Sequence, residues 1–109
     1  MSNAPTTING TFVKGYKHVT GTGADRREEF IKDFELRAPT TDDLMSAEDD
    51  APSNKPLQYN LALAARQLVR IGPLKGPFTY GQLRRGLPDL RDYNALRLAQ
   101  IEADQLGEE

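Results

Sequence analysis

The chain contains no cysteine and a single histidine. The first absence removes disulfides and thiolate metal sites outright and fits a reducing compartment. The second leaves a zinc site only an atypical, mostly carboxylate ligand set. Long apolar runs are missing too: no stretch approaches the ~20 residues a membrane span needs. Residues 1–10 are rich in Ser, Asn and Thr and lack a basic region followed by an apolar one. No signal peptide is therefore predicted, and the protein is expected to stay in the cytoplasm where it is made. A positive surplus is also absent. The net charge of −2 argues against a phosphate-binding surface.

What is present suits one small folded domain. The 109 residues leave room for one domain and not two. With 38% hydrophobic and 28% charged residues the chain is polar, yet not of the one-signed composition of a disordered chain. The expected plan is a flexible N-terminal arm at 1–10 followed by a single α+β domain at 11–106. Within it a β-hairpin occupies 11–37 and a helical part 40–106, so the fold class is an N-terminal antiparallel hairpin followed by three to four α-helices.

The hairpin rests on a period of two. Phe30, Phe34 and Leu36 share one face, interrupted by Lys32, while Ile31, Asp33, Glu35 and Arg37 share the other. Residues 11–20 are rich in β-branched and aromatic residues and can supply the antiparallel partner, with Gly21-Thr22-Gly23-Ala24-Asp25 as the loop. A lone hairpin is marginal in water, so helices or a second chain must cover it.

Helical punctuation begins at Pro39. Thr40-Thr41-Asp42-Asp43 offers hydroxyl caps and carboxylates for a helix N-terminus, and that helix should end near Asp49-Asp50-Ala51-Pro52. Leu57, Leu61, Ala64, Ala65, Leu68 and Ile71 make one stripe at helical period and predict a helix over 57–71, stopped by Gly72-Pro73. A short helix is predicted over 79–85. A last one should open at Leu87-Pro88-Asp89, with proline in its first turn, and run towards Gln105.

The last helix is apolar on two sides. Leu90, Tyr93, Leu98 and Ile101 fall on one; Ala95, Leu96, Ala99, Ala103 and Leu106 fall on the other. One side should meet the core and the other a partner, and Leu96, Ala99, Ala103 and Leu106 are the expected partner contacts. Alternatively the alanine side is simply tolerated at the surface. The hairpin edge is an equal candidate for self-association.

No catalytic constellation, cofactor motif or metal set emerges. His18 stands alone in a strand, where a surface or partly buried role is the ordinary one. The acidic run at Asp42-Asp43 and Glu48-Asp49-Asp50 lacks the spacing and turn glycine of a calcium loop and reads as capping and solvation. Gly21-Thr22-Gly23 lacks the glycine and lysine of a phosphate loop. Arg66, Arg70, Arg84, Arg85, Arg91 and Arg97 are interspersed with acids, so the C-terminal half is near neutral. The reading is a non-enzymatic interaction protein.

The segment Leu36-Arg37-Ala38-Pro39-Thr40-Thr41-Asp42-Asp43-Leu44, followed by Ala47-Glu48, resembles the signature of the tail assembly chaperones of Mu-like contractile-tailed phages. In that family a strand ends in Leu-Arg-x-Pro-Thr and a helix carrying Asp-Leu follows. The Ala/Leu-rich helix at 61–71, Leu87-Pro88 and Asp92-Tyr93 match as well, so the resemblance spans about residues 30–105. It implies a protein that binds the tape measure protein in the host bacterial cytoplasm and keeps it soluble until tail tube subunits polymerise around it. It also implies a longer form made by programmed frameshifting, of which this chain is the shorter counterpart, and leaves self-association open. Leu36, Arg37, Pro39, Thr40, Asp43 and Leu44 are expected to act mainly in the fold, with Pro39 ending the strand and Thr40 or Thr41 capping the helix. The competing readings are a small structural tail component of the virion and a prophage nucleic-acid-binding regulator. Neither nucleic acid nor membrane is an expected partner.

Overall fold

β1 (Thr7–Thr20) and β2 (Arg27–Arg37) form a long antiparallel hairpin around a single 3₁₀ turn at Gly23–Asp25. The computed structural model describes residues 7–52 and 54–106. After the hairpin come α1 (Thr41–Asp50), α2 (Pro56–Gln67), β3 (Leu68–Ile71), β4 (Leu74–Lys75), α3 (Tyr80–Gly86) and α4 (Leu90–Asp104). The four strands make one antiparallel sheet in the order β1-β2-β3-β4. Over the described residues the fold is α+β, with an N-terminal hairpin and four α-helices.

Alternation in β2 sends Phe34 and Leu36 into the core. There Phe34 meets Phe12 at 4.4 Å between ring centroids. Gly10 lies directly across from Phe34, and a Cβ at Gly10 would come within 2.3 Å of the Phe34 ring. Leu68, Ile71, Leu83, Leu96, Ala99 and Ala103 complete the main core. A second, smaller core joins Ala47 and Ala51 to Ala62 and Leu63 between α1 and α2.

β1 carries a wide bulge. Thr11 pairs with Asp33 and Tyr16 with Ile31, so residues 12–15 stand opposite Lys32 alone. Gly15 takes φ +116°, a left-handed value that a residue with a Cβ rarely adopts. Beyond the bulge the hairpin leaves the helices behind, and residues 19–30 are all exposed. Phe30, expected on the buried face, is therefore exposed, with the Lys14 ammonium 5.2 Å from its ring centroid.

Three boundaries differ from the sequence reading. The arm predicted at 1–10 is strand from Thr7 onward, because Ile8 packs on the core beside Leu36 and Gly10 makes room for Phe34; residues 1–6 lie outside the described residues. The helix predicted over 57–71 stops at Gln67, and Leu68–Ile71 becomes β3. The second edge of β2 needs a backbone partner, and Val69 and Ile71 are β-branched and suited to supply it. Gly72, at φ +55°, then turns the chain into β4. Leu57, placed on the buried stripe of that helix, is exposed in the first turn of α2. Pro88 precedes the N-cap Asp89 instead of occupying the first turn of α4.

Candidate functional site

The segment from Leu36 to Leu44 builds the corner between sheet and helices. Leu36 is fully buried, and Arg37, the last residue of β2, turns its guanidinium onto Asp43 in a bidentate pair of 2.6 and 3.0 Å. The same guanidinium donates to the carbonyls of Ala38 and of Arg66, the latter at 2.9 Å, tying β2 to α1 and to the last turn of α2. Thr40 is the N-cap of α1: its hydroxyl accepts the Asp43 N–H at 3.1 Å, and the Asp43 carboxylate accepts the Thr40 N–H at 2.9 Å. The Arg37 hydrogen bond above all, then those from Thr40, hold the Asp43 carboxyl below the usual range against the opposing effect of burial. Pro39 stands between strand and cap, and Leu44 is exposed on the first turn of α1.

α4 is where the expected partner surface has to be redrawn. Leu96 is 1% exposed, Ala99 and Ala103 are buried, and Leu106 packs on the same core. These four residues are the inner face, not a free one. The physical reason is close approach: small alanines at 99 and 103 let the α4 backbone settle against β1, its principal neighbour. The opposite side is the open one. Leu90 is 65% exposed, Leu98 64% and Ile101 45%, at positions i, i+8 and i+11 of one stripe. Tyr93, predicted with them, is half-buried and meets the Asn60 amide at its hydroxyl, 3.5 Å away.

Two polar arrangements lock α4 in this rotation. The Asp92 carboxylate is fully buried in the bulge of β1, where it accepts the N–H groups of Val13 (2.7 Å), Lys14 (2.9 Å) and Gly15 (3.0 Å). Further along, the buried Gln100 donates to the Asn60 carbonyl (3.0 Å) and to Gln67 Oε1 (3.1 Å), while Gln67 Nε2 donates to the Arg37 carbonyl at 2.9 Å. No buried side-chain polar atom among the described residues lacks a partner. Sequence reasoning did not find Asp92 or the two glutamines as buried groups. Asp92 reads as an ordinary acid in a first turn, and nothing in the chain announces the bulge except Gly15.

Some of the basic residues are engaged with acids. Arg66 pairs with Asp50 at 3.2 Å, Arg70 with Asp33 at 2.7 Å and Glu35 at 3.1 Å, and Arg91 with Asp89 at 2.8 Å. The Arg91 side chain and backbone together bring the Asp89 carboxyl down to about 2. Arg84 lies over the Tyr80 ring and donates to its hydroxyl at 3.1 Å. The clefts among the described residues include one of about 430 Å³ between the hairpin at Tyr16–Val19 and Gln82, Arg85 and Gly86 of α3, and another of about 370 Å³ around Arg66, Phe78 and Tyr80. In the first, Lys17 is already paired with Glu28 at 3.4 Å. Neither cleft assembles a nucleophile with a base and an orienting group. Among the described residues no group of three or more His, Asp or Glu side chains is placed to hold a metal ion. No helix among them is long and apolar enough to cross a membrane.

No protein-family model, curated protein or solved structure matches the chain.

Proposed function

We propose that the chain is a phage tail assembly chaperone that binds the tape measure protein and keeps it soluble until the tail tube forms around it. The observation that carries this reading is the open stripe of Leu90, Leu98 and Ile101 on an α4 whose other side is fully used by the core. A long helical client exposes apolar stripes of its own, and a small domain with one spare helical face covers them by side-by-side packing. Coverage of this kind uses many weak contacts and so stays reversible. The order of motifs from Leu36 to Tyr93 supplies the choice of this family among binding proteins.

Co-expression with the candidate tape measure protein of the same gene cluster tests the reading. The client is expected to become soluble and to co-purify with the chain, and Leu98→Glu together with Ile101→Glu should abolish both effects while the domain stays folded. A client that remains insoluble beside a well-folded chain would sink the chaperone reading. Finding the chain in purified virions would favour the structural tail component instead.

A further inference from the structure

We infer that the outer face of α4 also seats a second copy of this chain, in an antiparallel, two-fold-symmetric helix pair that closes the apolar stripe when no other partner is present. The inference concerns the chain alone and does not rest on the phage reading.

Three observations converge on that occupant. Leu90, Leu98 and Ile101 leave an apolar strip along most of α4, with Asn94 exposed between them. Charge along the strip is polarised. Arg91 flanks it in the first turn and Glu102 flanks it on the same side near the end, eleven residues on, or about 20° around the helix at 100° per residue. Asp104 adds to the acidic end, and the last turn of α4 contains no basic residue. This leaves two exposed carboxylates beside the negative pole of the helix dipole, an unfavourable arrangement. Neither Glu102 nor Asp104 has an ion-pair partner among the described residues.

An antiparallel copy supplies what is missing. A two-fold axis crossing α4 near Leu96 sets residues on one flank against the same flank of the partner copy. Arg91 then faces the other copy's Glu102, twice by symmetry, while Leu90 comes beside Ile101 and Leu98 beside Leu98 across the axis. Arg91 now pairs with Asp89 at the surface, an exposed contact that a second acid can share. On the other flank Arg97 reaches back to Gln100 at 3.4 Å, away from the strip. A parallel pairing would instead leave Arg91 and the other copy's Glu102 about 16 Å apart along the helices, too far to meet. The helices meet over only about 22 Å, so the contact falls below the size of a permanent interface and association is concentration-dependent.

Sedimentation equilibrium on the full chain, from micromolar to about 1 mM, tests the pair. A reversible dimer is expected, weakened at least about tenfold by Leu98→Glu, by Arg91→Glu and by Glu102→Arg, and restored when the two charge reversals are combined. Far-UV circular dichroism checks that each variant stays folded, since all three side chains are exposed. The lack of cysteine gives a second readout. In the antiparallel register Asn94→Cys lies about 6 Å from its copy along the axis and should cross-link on oxidation, whereas Leu90→Cys lies about 18 Å from its copy and should not. A chain that stays monomeric at 1 mM, a dimer untouched by Leu98→Glu, charge reversals without effect or without mutual rescue, or efficient cross-linking through Leu90→Cys would each overturn the proposal.

Discussion

Asp92 Oδ2 accepts the backbone N–H of Gly15 at 3.0 Å across 77 residues of chain. The same carboxylate takes the N–H groups of Val13 and Lys14 on its other oxygen, so three donors of the β1 bulge depend on one side chain of α4. Asp92→Ala should leave all three without this partner, that of Gly15 in a buried position, and destabilise the domain by roughly 2–3 kcal/mol. Asp92→Asn keeps one acceptor oxygen and sets an NH₂ against an N–H, so about half that loss is expected. Urea denaturation gives the size, and amide hydrogen exchange at residues 13–15 shows whether the loss is local to the bulge.

Leu96 and Leu98 stand two residues apart and separate the two faces of α4. Leu96→Glu drives a carboxylate into a packed core and should cost more than about 4 kcal/mol, a large part of the stability of a small domain. Leu98→Glu should change it by no more than about 0.5 kcal/mol. Thermal melts at low protein concentration compare the two. Similar losses in both would mean that α4 is rotated from the orientation described above.

Gly86 closes α3 against the Tyr16 ring, and a Cβ there would lie 2.3 Å from Tyr16 Cε1. Gly86→Ala must push the ring out of its edge contact with Phe78, now 5.9 Å between centroids. A loss of about 1–3 kcal/mol is expected, together with shifted Tyr16 ring resonances in the NMR spectrum.

Asp43 makes stability sensitive to acid. Its folded pKa lies below the ordinary carboxylate value because Arg37, then Thr40, stabilise the charged form. The unfolded chain therefore takes up the proton first as pH falls. The stabilisation from Asp43 is complete above the unfolded value of about 4 and fades as pH drops through the lower folded value. The stability difference between the natural chain and Asp43→Asn should be constant from about pH 5 to 7 and shrink towards pH 2. A difference that grew on acidification would contradict the pairing with Arg37.

Much of the fold was legible where local chemistry and tertiary need agree. The alternation of Phe34 and Leu36 and the cap at Thr40 each specify one local geometry, and each does so in the structure, whereas Gly72, read as a helix stop, turns the chain between β3 and β4. Leu68 and Ile71 were ambiguous because a spacing of three suits a helix stripe, while the bulged register against β2 also buries both. Only the open edge of β2 decides between them, and that edge is a tertiary fact. The two sides of α4 misled for a related reason. Leucines at 90 and 98 outweigh alanines at 99 and 103 in hydrophobicity, but the small residues permit the closer approach to β1, and Asp92 fixes the rotation. Burial of Asp92, Gln67 and Gln100 depends on partners more than 29 residues away and has no periodic signature.

The bond between the β1 bulge and Asp92 also orders events during synthesis. β1 and β2 are translated early and can pair as soon as they leave the ribosome, a local step. The amides of residues 13–15 nevertheless wait for a carboxylate 77 to 79 residues further along. Until the last helix has emerged the hairpin carries three unanswered donors and an uncovered apolar face. The nascent chain is thus itself aggregation-prone between the emergence of the hairpin and that of α4, and the domain closes only when α4 docks.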